Sequence, residues 1–383
     1  MWKQVSSICR PSKSNNTWTF FNKKFRVFHD WLYQLNLLNF PTNLNWYNHL
    51  EANMRNLKTL IVTGILVLTS TWVSAKTTFT LSTPDPDNSE ITLAAKKFAE
   101  LVAAKTGGEV EIKVFPNGQL YGGDPSAAVR QIAGGSLDML LLSSSLYANF
   151  NPKFTAISIP YLFDDNAQLR AYLAGPLGQE LLNDLNGVGI KGLSMWQRPF
   201  RQMTNSKKAI QLPQDLAGMK FRVPNNPLWV EFFGKMGAAP TPMAFGEVYN
   251  ALQMRVVDGQ ENPINIPVTA KFYEVQKYAT ISNHMADGWV LAINPAKFNA
   301  LTDKNKQALQ AAAAEAEAWK AANDAADAKQ SIDFLISKGV AVNTLTADQQ
   351  KAFVGVAKDL FPRFSQLVKD QNFFNKTLAF VKK

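Results

Sequence analysis

Two carboxylates and two amides stand within five residues in the segment VVDGQENP (Val256 to Pro263), where Asp258 and Glu261 bracket Gln260 and lead into Asn262 and Pro263. Carboxylates so close can act as general acid and base, can join a metal loop, or can hold turns and cations. Acid–base work needs a nucleophile or a metal cluster beside the pair, and none is near in the sequence. A calcium loop needs more alternating oxygen ligands than D-G-Q-E provides. Asp258 and Glu261 are therefore expected to cap turns and to bind backbone or Arg/Lys partners. Because Pro263 disfavours the α region for the residue before it, Asn262 is expected to be extended, with its amide held in one direction. On this reading VVDGQENP is a rigid corner that aims Asn262 and leads into the next helix.

Which other chemistry is open depends on where the chain functions. From Met54 the sequence reads MRNLKTLIVTGILVLTSTWVSAK: a basic start (Arg55, Lys58), an apolar run from Leu60 to Leu68, and a small-x-small site at Val73-Ser74-Ala75. This is the three-part pattern of a secretory signal peptide, residues 54–75, cleaved near Ala75. A membrane anchor is the rival, but the run is interrupted by Thr63, Thr69, Ser70 and Thr71 and is shorter than the ~20 apolar residues a span needs. Residues 1–53 then precede a signal that works only at an N-terminus, so they are expected to be a non-native upstream extension. Removing residues 1–75 takes away eight Lys/Arg and two Asp/Glu, and the net charge falls from +10 to about +4. Such a field does not point to nucleic acid. The single cysteine, Cys9, goes too, and His284 is the last histidine. Cys-His nucleophiles, His-pair zinc sites and any Ser-His triad not built on His284 are excluded. No catalytic residue, metal or cofactor is expected in the exported, periplasmic chain.

The elements that must position these groups follow a strand–helix–strand–helix–strand order. Thr77 to Ser82 alternates as a strand. Asn88 and Ser89 are N-cap types before Ile91, Leu93, Ala94, Phe98, Leu101 and Val102 at helical spacing, with Gly107-Gly108 as the stop. A strand at 109–115, a helix at 127–133 and a buried strand at 137–142 complete the set, as in a largely parallel, helix-covered sheet. A second set has strands at 219–223, 238–241 and 256–260 and helices at 228–236 and 245–253. Thr302 caps a Gly- and Pro-free run to about Lys338, a helix of ~50 Å if unbroken, longer than a small domain is wide. The 308 residues after Ala75 favour two domains, joined by more than one crossing because no Ser/Gly linker separates them.

Five strings then occur in order: RQMTNSKKAI from Arg201, LAGMKFRVPNN from Leu216, GAAPTPMAFGEVYNALQ from Gly237, VVDGQENP, and KFYEVQKY from Lys271. With FPNGQLYGGD and GGSLDM earlier, they resemble the solute-binding receptors of TRAP transporters, the DctP-like family, and among these the sialic-acid-type members most closely. The resemblance spans essentially all of residues 76–383. It implies an α/β bilobal periplasmic-binding-protein-like fold, two lobes joined by strand crossings and a long helix. Lobe I would comprise 76–198 plus 288–327, and lobe II 199–287 plus 328–383. It also implies a monomer that captures a small organic anion and passes it to the small and large membrane subunits of a sodium-coupled permease. The receptor itself is not membrane-embedded.

The same resemblance nominates site residues. Arg222 matches the arginine that grips the ligand carboxylate, a role suited to a planar, permanently charged fork. Arg201 matches a second pocket arginine, with Arg198 as competitor, and Asn262 an amide that contacts the ligand. Phe245 matches an aromatic against the ligand's apolar face, although a phenylalanine there also suits a core. Trp196 and Trp289 could line the cleft or serve structure alone. Asp85, in Thr83-Pro84-Asp85, falls where the first lobe lines the cleft. Ser143, with Ser144 and Ser145, stands where sialic-acid-type members carry an acidic residue. That departure leaves uronates, aldonates, other sugar acids and C4-dicarboxylates open. A periplasmic hydrolase or lyase using Asp258 and Glu261, and a ligand-loaded sensory module, are the alternatives on this fold.

Overall fold

The computed structural model describes residues 76–382; the expected upstream extension (1–53) and signal peptide (54–75) lie outside them. Strand β1 (Thr77–Ser82) leads to Ser89, whose side chain accepts from the Thr92 amide and starts helix α1 (Glu90–Thr106). The helix stops where Gly107 turns left-handed at φ 64°, a conformation glycine takes at little cost. Its buried Ile91, Ala94, Phe98, Leu101 and Val102 recur every three or four residues, so one face packs inward. Strand β2 (Val110–Phe115), helix α2 (Pro125–Gly134) and strand β3 (Met139–Ser143) follow, with β2 and β3 parallel to β1 on either side.

The chain then enters β4 (Lys191–Asn205), a strand of 15 residues. After it come β5 (Lys220–Val223), helix α3 (Pro227–Lys235), β6 (Ala239–Pro242) and β7 (Gly259–Pro263). Strand β8 (Tyr278–Ile293) has 16 residues and runs antiparallel to β4 along its length; β9 (Ala341–Thr344) pairs with its start. The sheet order is β2-β1-β3-β8-β4-β7-β5-β6, with β9 against β8. β3 meets β8 at Trp289–Ile293, and β9 meets the same side of β8 at Tyr278–Ile281. One end of the two long strands thus belongs with β1, β2 and β3, and the other with β5, β6, β7 and β9. This is a bilobal α/β fold in which β4 and β8 are the crossings. At ~3.3 Å per residue each is roughly 50 Å long. The pairs β1–β2, β1–β3, β5–β6, β5–β7 and β8–β9 are parallel, whereas β3–β8, β4–β8 and β4–β7 are antiparallel, so the sheet is mixed.

Helix α4 (Asp303–Ser337) is the long helix expected from the sequence, with Thr302 as its N-cap. Leu309, Ala312, Ala313 and Ala316 share a core with Phe98 of α1 and Trp196 of β4, whereas Leu335 packs with Ile264, Ala279 and Val340. Between these contacts Lys320 is buried, with Nζ 2.6 Å from Glu90 and 2.9 Å from Asp324.

Candidate ligand-binding cleft

Residues three apart on a regular strand face opposite sides of the sheet. Arg198 and Arg201 on β4 nevertheless line one cleft. The register of β4 against β8 slips between them and again before Met203, and such bulges re-aim side chains next to binding sites. Arg201 is held by Glu261: Nε and Nη2 bind its two carboxylate oxygens and Nη2 its carbonyl at 2.8 Å. Burial alone would raise the Glu261 carboxyl, but Arg201 and His284 beside it outweigh that and hold it at about 2. Glu261 thus binds an arginine, as expected from the sequence, while Asp258 accepts from the Lys220 amide and pairs with Lys207. Behind Glu261, His284 Nε2 lies 3.3 Å from its carboxylate and Nδ1 2.8 Å from Ser282 Oγ. Ser282 is buried and does not line the cleft, so this Ser–His–Glu chain orients Glu261 without presenting a nucleophile there.

Arg198 pairs instead with Asp287, a residue the sequence reading did not nominate. Nη1 is 3.2 Å from Asp287 Oδ2, and the guanidinium stacks 4.2 Å from the Trp289 ring centre. Asp287 is fully buried and also accepts from the Ser143 and Ser144 hydroxyls and the Ser145 and Gly288 amides. Asn262 is extended in β7, and its Oδ1 accepts from both Arg198 (3.2 Å) and Arg201 (3.1 Å). One amide therefore fixes two guanidinium groups.

Arg222 differs. It sits in β5 opposite Thr241 and Gln260, and its Nε and Nη2 donate to the Met243 carbonyl at 3.2 and 2.8 Å. No carboxylate of the described residues lies within 4 Å of it. Burial first, then the Arg201 and Arg198 charges against the pull of Glu261, push this guanidinium down to about 9. The cleft, of about 210 Å³, brings together Asp85, Ser143, Arg201, Arg222, Phe245 and Asn262, together with Arg198. Phe245 lines it while packing on Phe272. Trp289 lines it as well, whereas Trp196 is buried against Phe98.

Residues 81–367 match the family described as DctP, bacterial extracellular solute-binding protein, family 7. The chain belongs to this family. It is 36% identical over 295 residues to the 2,3-diketo-L-gulonate-binding periplasmic protein YiaO of Escherichia coli, covering 77% of this chain and 88% of the relative. Among solved structures, the sugar acid binding protein DctPAm of Advenella mimigardefordensis, in complex with galactonate, is 29% identical with a TM-score of 0.77. The likeness covers 80% of this chain and 98% of that one. A TRAP periplasmic solute-binding protein of Sulfurospirillum deleyianum with bound succinate is 30% identical, with a TM-score of 0.75 over 80% and 99% of the two chains.

Four other residues lining the cleft of this DctP-family protein have polar atoms without a hydrogen-bond partner. Asp85 is 2% exposed, and its carboxylate makes no hydrogen bond or ion pair among the described residues. Burial drives it up to about 6, against the lowering effect of Arg198, Arg201 and Arg222. Arg198 Nε, Trp289 Nε1 and the Tyr121 hydroxyl likewise lack hydrogen-bond partners. Among the described residues no cluster of three metal-ligating side chains occurs, and no helix is long and apolar enough to cross a membrane.

Proposed function

We propose that this chain is a periplasmic TRAP receptor that captures a small organic acid, a sugar acid or a C4-dicarboxylate, between its lobes. One observation carries the reading. Of the three cleft arginines, Arg201 is matched by Glu261 and Arg198 by Asp287, while Arg222 has only a carbonyl. A ligand carboxylate supplies the missing counter-charge through two charge-assisted hydrogen bonds. Arg201 and Asn262 hold the floor around it, Phe245 offers an apolar face, and Ser143 and Asp85 meet the ligand's polar end. The relatives named for 2,3-diketo-L-gulonate, galactonate and succinate support this class.

On this reading the lobes divide as 76–198 plus 288–327 and 199–287 plus 328–383. The exported monomer starts after cleavage near Ala75, and the cargo passes to the small and large permease subunits without being altered. A thermal-shift screen over organic acids tests the proposal, because a ligand bound only by the folded state raises the melting temperature. At least one carboxylate is expected to raise it and to be recovered unchanged by mass spectrometry. A screen with no stabilising acid, or a bound compound that turns over, contradicts it.

A further inference from the structure

The two walls of the cleft offer a ligand opposite things. The β5 wall donates, through Arg222. On the facing wall, built from the end of β1 and from β3, the groups accept. Asp85 presents an unpaired carboxylate. Ser143 Oγ donates to Asp287 Oδ2; Ser145 Oγ lies 3.1 Å from that same oxygen and 2.7 Å from Ser143 Oγ. Whichever of these two contacts takes the Ser145 proton, both hydroxyl protons are spent inside the cluster. What Ser143 and Ser145 then turn to the cleft is oxygen lone pairs.

We infer that the cleft selects a polyhydroxylated monocarboxylate over the dicarboxylate of the same chain, with the carboxylate on Arg222 and chain hydroxyls donating to Asp85, Ser143 and Ser145. This deepens the receptor reading and rests on it. The charges point the same way. Arg198 and Arg201 are matched by Asp287 and Glu261, which leaves Arg222 as the charge that a first carboxylate meets and Asp85 as the charge that a second one meets. A second ligand carboxylate brings acceptors to acceptors and a like charge to Asp85, the kind of repulsive element that sets specificity. An ammonium at that end would satisfy Asp85 but stand among the three guanidinium charges that act on it. A hydroxyl does neither, and its oxygen also suits the unpartnered Arg198 Nε–H, Trp289 Nε1–H and Tyr121 hydroxyl. Polyols are the groups that both donate and accept along a chain. Asp287 is the positioning residue behind this selectivity, because it claims the serine protons.

The test is titration calorimetry of the purified protein at pH 7.5 with matched pairs: D-galactonate and galactarate, D-gluconate and D-glucarate, D-erythronate and tartrate, with succinate alongside. At least one hydroxylated monocarboxylate should bind roughly 30-fold or more tightly than its matched dicarboxylate, since like-charge juxtaposition costs several kcal/mol. Asp85→Asn, which keeps shape and removes charge, should bring the pair to within a few-fold. Ser145→Ala should weaken the monocarboxylate several-fold and leave the dicarboxylate little changed. If a dicarboxylate binds as well as or better than its partner, the selectivity is wrong while the receptor reading stands. An unchanged ratio in Asp85→Asn overturns the part given to Asp85. If no acid in the panel binds, the receptor reading itself has failed and this inference with it.

Discussion

Replacing Arg222 separates binding from stability in a way few cleft residues allow. The residue is 3% exposed, and its guanidinium is hydrogen-bonded to one carbonyl and pushed down to about 9 by burial. A guanidinium does not give up its proton in a protein, so the displacement expresses the cost of keeping the charge buried. At about 1.4 kcal/mol per pKa unit that cost is several kcal/mol, to order of magnitude. Arg222→Ala removes it, and the ligand-free protein should melt at the wild-type temperature or above. Binding should move the other way. A carboxylate left in the closed cleft without its partner loses on the order of 2 to 5 kcal/mol, or roughly 30- to several-thousand-fold in affinity. Arg222→Lys should recover little, because an ammonium keeps the charge and loses the planar fork. Calorimetric titration of wild type and both variants with the tightest-binding acid, with thermal melts of the ligand-free forms, reads both effects. Affinity within a few-fold of wild type for Arg222→Ala would place the carboxylate elsewhere, with Arg198 and its unpartnered Nε next in line. A ligand-free Arg222→Ala protein that melts well below wild type would show that the arginine supports the fold, and the reasoning fails.

Glu261→Gln should destabilise the protein by about 3 kcal/mol, since it leaves the buried Arg201 with only the longer 3.6 Å carboxylate contact to Asp287, which Arg198 already shares. With the folded carboxyl at about 2 and its ordinary value 4.5, the wild-type advantage should be complete at pH 7 and shrink as pH falls from 4.5 toward 2. Thermal melts across that range check it, and a pH-independent difference contradicts it. Asp85 runs opposite: raised from 3.8 to about 6, it binds its proton more tightly when folded, so it costs stability as pH rises through that window. Asp85→Asn should be more stable than wild type by on the order of 3 kcal/mol at pH 7.5 and equal to it near pH 4; equal melts at both would refute this. Finally, ligand should close the lobes about the slipped stretch of β4 at 198–203, seen in scattering as a smaller radius of gyration; an unchanged radius at saturation argues against a hinge there.

Local signals in the sequence carried the elements whose ends are chemically marked. Ser89 and Gly107 bound α1, Thr302 opens α4, and the strand at Thr77–Ser82 has the expected limits. β7 is displaced three residues from the expected 256–260, because Arg255 turns left-handed at φ 57° and Val256 points to solvent. The two long strands were legible only as crossings. Pro199 and the slips in register break the alternation of β4, and β8 is buried along most of its length, so neither shows a simple period of two. That slip brings both Arg198 and Arg201 to the cleft, which the spacing of the two residues alone does not suggest. Asp287 left no local trace: in ADGW an Asp-Gly pair reads as a turn, and its serine partners are more than 140 residues away.

The claim that Arg222 awaits a carboxylate is tested most directly by a crystal structure of the purified protein with its tightest-binding acid. The account predicts the ligand carboxylate in the cleft with two oxygens at about 2.8 Å from the Arg222 guanidinium and hydroxyl oxygens within hydrogen-bond reach of Asp85. A carboxylate held by other residues, with Arg222 still bonded only to the Met243 carbonyl, would contradict it.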